Sequence, residues 1–470
     1  MVKLSRFTHS YDLGDAVALY HSLRMKPVYL SKDAFESLQA WLASSSCTDV
    51  QHLPESLKLE INELIKYKIL TQSENEDERV LQFVKSKIPT PAINVCYMIT
   101  SEQCNLACKY CFLGNNNAQK RDHFLSENMS IETADRAIAF FVKQIKESGI
   151  SPQDSKPIVI FYGGEPLVNF NVVEHIALEI NKMRNFDPYL LNAEMSVVTN
   201  GLLLDEVRIK RLHELGVSIA ISIDGFTEKA NSMRVDVQGK PVFSRILKTL
   251  DLCKSLGIDV SLSVTLSEET IKNKDDILDL IKTYGIKGFG FNILMSDENF
   301  VLPEEYNHQA AQFIIDEFIK LRDLGIYEDR MMRKLKSFTK AQVYFSDCAA
   351  TAGGQIVIAP NGQVGICHGC LHNKDYFVSN ILDNDFIAVK DKTFIEWSQL
   401  TPLNHEECLD CPALGICGGG CPVNAMHLKK GNTIHSIDER FCVHSKKTLE
   451  FFIKDLYRII VESKINNALA

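Results

Sequence analysis

No stretch of the 470 residues approaches the roughly 18 consecutive apolar side chains of a membrane-crossing helix, which argues against a spanning segment. The N-terminus, Met1-Val2-Lys3-Leu4-Ser5-Arg6-Phe7, lacks the apolar block of a secretory signal. The expected compartment is therefore the cytoplasm, with no membrane partner. Positive charge is also short: 51 Lys and Arg stand against 60 Asp and Glu, a formal net charge of -9. That balance argues against a nucleic-acid partner and suits a basic peptide better. Cysteine, by contrast, is plentiful. Fourteen cysteines in a compartment that keeps thiols reduced point away from disulfides and toward metal or redox chemistry. Cys47, Cys96 and Cys253 stand alone in regular patterns and read as small buried apolar residues; the other eleven cluster.

Three of them form Cys104-Asn105-Leu106-Ala107-Cys108-Lys109-Tyr110-Cys111, directly after the apolar run Ile93 to Thr100. Thiolates separated by three and then two residues, on a loop leaving a buried strand, can hold three corners of a cubane iron-sulfur cluster. The fourth iron is then open to a small molecule with an amine and a carboxylate. Paired cysteines also serve zinc, so the loop alone leaves both readings open. With Tyr110 in the aromatic slot before the third cysteine, it resembles the CxxxCxxC motif of the radical S-adenosylmethionine (SAM) superfamily.

Ahead of this loop, residues 1–90 read as a separate small domain. Strand-like runs at Lys3 to Thr8, Ala16 to His21 and Pro27 to Leu30 precede a helix capped at Ser31 and helical stretches around Leu57 to Ile69 and Glu76 to Lys87. This order looks like a winged helix and resembles the recognition element at the front of many peptide-modifying radical SAM enzymes. That element binds a leader peptide as an added strand; a purely structural cap is the competing reading. From Ile93 onward, strands are expected at Ile93 to Thr100, Ile158 to Tyr162, Glu194 to Thr199, Val217 to Ile223, Asp259 to Thr265 and Gly288 to Leu294. Helices are expected between them, at Ile131 to Glu147, Val168 to Met183, Glu206 to Leu215, Val242 to Leu256 and Thr270 to Tyr284. Such alternation predicts an α/β fold with a parallel sheet. The resemblance implies a partial (β/α)6 TIM-like barrel over residues 91–325, with its chemistry at the C-terminal strand ends.

Those strand ends carry candidate cofactor-binding residues. Gly163-Gly164-Glu165-Pro166 offers two glycines for close backbone approach to a ligand and a carboxylate for its amine. The resemblance implies that this stretch holds the methionine part of SAM; a plain turn is the alternative. Thr199-Asn200-Gly201 and Ser222-Ile223-Asp224-Gly225 resemble segments lining the cofactor. By resemblance, Ser222 would bond the ribose, Asp224 would serve there or close the turn, and Arg234 would meet the cofactor carboxylate. Strand Gly288 to Leu294 would offer backbone to the adenine. Where relatives often carry a His-Asp pair, this chain has Ala230-Asn231, which are assigned no role.

Residues 326–347, including a basic stretch near Arg330 to Lys340, read as a linker with a solvated face. A second array follows: Cys348-x13-Gly362-x4-Cys367, then Cys408-x2-Cys411-x5-Cys417-x3-Cys421-x20-Cys442. It resembles, cysteine for cysteine, the SPASM domain, giving a cysteine-rich C-terminal domain at 348–445 before a helix at 446–470. The resemblance implies two auxiliary 4Fe-4S clusters, one on Cys348, Cys367 and Cys421, the other on Cys408, Cys411, Cys417 and Cys442. Cys370 is a candidate fourth ligand for the first, a catalytic thiol or a bystander. Structural zinc is the alternative for this region, but it would leave the first loop unexplained.

Taken together, the resemblances imply SAM and three 4Fe-4S clusters, a 5'-deoxyadenosyl radical, and a flavodoxin- or ferredoxin-type electron donor. The leading expectation is a maturase that installs a thioether, carbon-carbon or ether crosslink in a ribosomally made precursor peptide carrying a leader. A sulfatase-maturating type that oxidises Cys or Ser to formylglycine is the second. That subfamily has an aspartate base after the cysteine matching Cys367; here His368 stands there and could take a substrate proton instead. The third is a non-catalytic electron-transfer or peptide-binding protein.

Overall fold

The computed structural model of the protein describes residues 2–44, 57–58, 60–113, 127–274, 276–296, 301–429 and 431–469; Cys47 lies outside them. The chain opens with strands β1 (Lys3–Leu4), β2 (Thr8–Asp12), β3 (Ala16–His21) and β4 (Pro27–Ser31). Strands β2, β3 and β4 form an antiparallel three-stranded sheet. The helix Lys32–Ala43 starts where Ser31 Oγ accepts the Ala34 N-H at 3.2 Å, an N-cap bond that replaces a missing helical one. Its Leu38 and Trp41 meet Leu19, Val28 and Leu30 in a small core. The helices Ile61–Lys66 and Glu76–Lys85 follow, with β5 (Leu70–Thr71) pairing back to β1.

A parallel run comes next: β6 (Val95–Ser101), β7 (Ile158–Gly163), β8 (Glu194–Thr199), β9 (Val217–Ile223), β10 (Ser261–Leu266) and β11 (Gly288–Ile293). Burial alternates along them. Val159, Phe161, Val197, Ile219, Ile221 and Phe291 are buried on one face, against outer helices such as Ile131–Glu147. Residues on the other face, among them Tyr97, Tyr162, Ser222 and Asn292, are only half-buried. A sheet closed over on one side and open on the other leaves a lumen. The sheet is not a closed barrel, because it continues at both ends to ten strands. β12 (Tyr327–Glu328) joins β11, while β13 (Gln355–Ile358), β14 (Gln363–Gly365) and β15 (Phe377–Asn380) extend from β6.

Several expectations need correction. The helix predicted over Thr270 to Tyr284 is two, Glu268–Lys272 and Asp276–Tyr284. Asn273 leaves helical geometry at ψ 76, and its side chain donates to the Glu269 carbonyl instead. Residues 326–347 are not a linker: β12 joins the sheet and the helix Asp329–Lys340 packs behind it. Nor is the basic stretch a solvated face, since Met331, Lys334 and Phe338, at helical spacing, point inward. The region from 348 begins inside the barrel's own sheet through β13, and the last helix, Glu439–Leu469, starts ahead of the expected position 446. Among the described residues no helix is long and apolar enough to cross a membrane.

The N-terminal unit docks on the cysteine-rich region. Phe7, Leu23, Leu81 and Val84 share a core with Leu403 and Leu414, and Arg6 forks onto Asp410 at 3.1 and 2.8 Å. At Gly415 the backbones touch: a Cβ there would fall 2.3 Å from the Ser22 carbonyl oxygen and 2.5 Å from the Met25 sulfur. Gly415→Ala is therefore expected to cost about 1–3 kcal/mol by overpacking, seen as a lowered thermal midpoint. An unchanged midpoint would contradict this close docking.

Candidate active site

The cysteine loop leaves β6 and is held from below by the segment after β9. Ala107 N-H donates to the Val235 carbonyl at 2.7 Å, Lys109 N-H to the Met233 carbonyl at 2.9 Å, and Leu106 bridges Asp236. Under this ribbon Tyr110 Oη lies 2.9 and 2.7 Å from the two oxygens of Asp224, and Arg234 Nε donates to the same carboxylate at 2.8 Å. Arg234 Cζ also stands 5.6 Å from the Tyr110 ring centroid. Asp224 and Arg234 are buried and Tyr110 is half-buried, and away from water charge-assisted bonds are strong and a lost partner is costly. Burial pulls the Arg234 pKa down, but the Asp224 carboxylate, with Tyr110 and Cys108, outweighs it and holds the guanidinium above its ordinary value. Arg234, expected to reach a cofactor carboxylate, is thus engaged first by the chain's own Asp224.

The motif after β7 plays a comparable part. A Cβ on Gly163, whose φ is +137°, would lie 2.1 Å from the Ser101 carbonyl oxygen, and one on Gly164 would lie 2.5 Å from those of Glu102 and Gln103. These glycines permit close approach to the root of the cysteine loop. Glu165 is 1% exposed and accepts from Leu167 N-H at 3.1 Å, Thr199 Oγ1 at 2.7 Å and Asn200 N-H at 2.8 Å. Burial pushes its pKa up to about 7 although each of these bonds pulls the other way. Its carboxylate clamps β7 to β8. Pro166 opens the short turn Pro166–Asn169, where its carbonyl accepts from Thr100 Oγ1 at 3.1 Å. Asn200 Nδ2 donates to Asn105 Oδ1 at 2.8 Å and lies 4.0 Å from Cys104 Sγ. Ser222 faces the lumen beside Ser263, which Asn292 reaches at 2.9 Å.

The eleven clustered cysteines come together in three groups. Cys104, Cys108 and Cys111 lie within electrostatic reach of one another; burial first, then such neighbours, pushes the Cys104 thiol up to about 12 and Cys108 to about 11. Cys367 and Cys370 are free thiols within hydrogen-bonding reach, and Cys370 raises the Cys367 pKa most, while Cys348 and Cys421 both sense Cys367. Cys408, Cys411, Cys417 and Cys442 form the last, where burial and then Cys417 push Cys408 and Cys442 up to about 12. Among the described residues no three such donors share a site the size of one bare ion. Of the isolated cysteines, Cys96 and Cys253 are buried.

His368 sits between the first two groups. Its ring stacks on Tyr97 at 4.3 Å, meets Tyr162 at 4.8 Å, and stands 6.1 Å from Phe112, the residue after Cys111. Burial lowers its pKa to about 4, so the imidazole is neutral, and its Nδ1 has no protein partner.

Other residues of the site escaped the sequence reading. Asn231, given no role, accepts from Asp224 N-H at 2.9 Å and donates to the Gly225 and Thr227 carbonyls at 2.9 and 2.8 Å, closing the turn that aims Asp224. Its place seven residues after Asp224, among small polar residues, was the only available signal. Glu102 pairs with Lys374 across to the C-terminal region. Arg440, beside Cys421, donates to the Ile293 carbonyl at 2.6 Å and so ties that region to the end of β11.

Residues 98–281 match the family model described as the Radical SAM superfamily. Over 98% of its length the chain is 24% identical to the radical SAM cyclopropyl synthase TigE of Paramaledivibacter caminithermalis, covering 95% of that protein. It is 27% identical, over 70% of its length and 89% of the relative's, to the cysteine-type anaerobic sulfatase-maturating enzyme of Clostridium perfringens. The solved structure of anSMEcpe with bound AdoMet and Cp18Cys peptide is similar in fold at a TM-score of 0.62 and 20% identity, covering 81% of this chain and 100% of that one.

The hold on the cysteine loop is measurable. Tyr110→Phe removes one hydrogen bond to a buried carboxylate and should loosen residues 104–111 by about 1.5–3 kcal/mol, read as faster amide exchange there. Unchanged exchange would contradict the clamp.

Proposed function

We propose that the radical SAM domain of this chain, which makes it an enzyme that uses SAM, serves to crosslink a ribosomally made precursor peptide. The observation that carries this reading is the approach of two cysteine groups at the strand ends, with His368 between them, and a third group on the adjoining C-terminal region. The donor sets fit iron-sulfur clusters: thiols grouped on loops, the first held by buried polar clamps. Cys104, Cys108 and Cys111 would hold the SAM-binding 4Fe-4S cluster. Cys348, Cys367, Cys421 and Cys370 would hold one auxiliary cluster, and Cys408, Cys411, Cys417 and Cys442 the other. When bound, SAM and its cluster supply a radical strong enough to take an unactivated hydrogen, which no side chain can do.

The chain's own residues position and shield. Tyr110, Asp224 and Arg234 fix the loop from one side, Asn200 from another, and Gly163 to Pro166 border its root. Thr199 and Glu165 brace β8 against β7, and Ser222 lies on the polar side of the lumen, suited to hydroxyl groups of a nucleoside. Opposite, Tyr97 and Tyr162 hold a neutral His368 whose free Nδ1 can accept a substrate proton. The edges of the sheet β2-β3-β4 suit a leader peptide added as a strand, which would make residues 1–90 the recognition unit. Similarity to TigE, a cyclopropyl synthase, runs along nearly the whole chain, that unit included, and supports an enzyme that forms a new bond in its substrate. A flavodoxin- or ferredoxin-type protein would be the electron donor.

The second reading is formylglycine formation, favoured by the 27% identity to the sulfatase-maturating enzyme. That likeness covers 70% of the chain rather than 98%, and His368 replaces the aspartate expected there, so crosslinking is preferred.

Changing Cys104, Cys108 or Cys111 to Ala should abolish reductive SAM cleavage while iron remains on the other groups; retained cleavage would sink the assignment of the first loop. A precursor with its leader should bind the full-length protein more tightly than one without it. Equal affinities would remove the recognition role from the N-terminal unit.

A further inference from the structure

Lys334, in the stretch that composition alone assigns to solvent, is 2% exposed. Its ammonium donates to the carbonyls of Ile416 at 3.2 Å and Cys417 at 3.0 Å, and to Ser445 Oγ at 3.1 Å. Its three N-H donors meet two carbonyls and a hydroxyl; burial lowers its pKa, while Asp347 and Cys417 pull the other way. The nitrogen lies 5.8 Å from the ring centroids of both Tyr344 and Phe441. Its nearest carboxylate, Asp347, is 4.0 Å away and is shared with Arg330 at 3.9 Å. Arg333, on the same helix, is paired with Asp329 at 2.9 Å, and His444, packed alongside, is buried and kept uncharged by that burial.

A buried cation bonded only to neutral acceptors is costly unless an anion stands near. The acceptors themselves show where that anion belongs. Ile416 and Cys417 form the turn carrying one cysteine of the last group, and Ser445 is three residues along the helix from Cys442, another. A cluster bound by four thiolates is negatively charged and becomes more so when it takes an electron. A cation held at fixed short range therefore favours the reduced form.

We propose that Lys334 is a positioning residue for the centre on Cys408, Cys411, Cys417 and Cys442: it pins the Cys417 turn, and its charge raises the reduction potential there. This rests on the reading that these cysteines hold an iron-sulfur cluster. The step concerned is a one-electron reduction in which no bond forms or breaks, the electron coming from a flavodoxin- or ferredoxin-type donor or from the substrate being oxidised.

The test is a redox titration, followed by electron paramagnetic resonance, of the anaerobically reconstituted full-length protein, with iron content measured on each sample. Lys334→Met should shift the reduction equilibrium of this centre at least tenfold toward the oxidised form, about 59 mV for one electron. Lys334→Arg, which keeps the charge, should stay near the unsubstituted protein. An unshifted potential in Lys334→Met with its iron retained overturns the proposal alone. If Lys334→Met instead loses this iron, restoration by Lys334→Arg supports the proposal and failure to restore overturns it. Unchanged iron in Cys408→Ala would remove the underlying cluster reading, and the proposal with it.

Discussion

One buried carboxylate organises the site. Asp224, at the end of β9, receives Tyr110 from the cysteine loop and Arg234 from the ribbon beneath that loop, while Asn231 fixes its backbone. Removing any of these partners would leave charge or a polar group in a place water does not reach. The network therefore holds the Cys104 to Cys111 loop in a single arrangement over the strand ends. Radical chemistry needs such a hold, because an abstracting group misplaced by about 1 Å forfeits much of its rate.

The rest of the architecture joins the C-terminal cysteines to the same sheet. Strand β13 adds to the free side of β6, so the C-terminal cysteines grow out of the barrel's own sheet. The Glu102–Lys374 pair and the Arg440 bonds to the end of β11 stitch this region to the strand ends at two further points. The N-terminal sheet then rests on the loop bearing Cys408 and Cys411, through Phe7, Leu403 and Leu414 and the Arg6–Asp410 fork. A peptide bound to that sheet would be tethered to the body that carries the lumen.

Much of this was legible from residue order. The Cys104 loop and the parallel strands rest on strong, local signals: fixed spacing, or apolar alternation over six or seven residues; the grouping of the C-terminal cysteines came only from the family resemblance. What failed was direction and partnership. Charge in Arg330 to Lys340 cannot reveal that Lys334 points inward between Met331 and Phe338. The strands β12 to β15, of two to four residues, are too short to show a period. Gly163 and Gly164 announced a close approach but not that the cysteine loop itself makes it, and Asn231 acts through a turn whose geometry composition does not encode.

The most direct measurement is mass spectrometry of a short precursor peptide encoded near this protein, after anaerobic co-expression with it and thiol alkylation. The predicted result is loss of two hydrogens in the core of the peptide. One fewer alkylatable cysteine would then identify a thioether, and full alkylation a carbon-carbon or ether link. A peptide that binds through its leader yet returns unmodified, or one carrying an aldehyde at Cys or Ser, would contradict crosslinking.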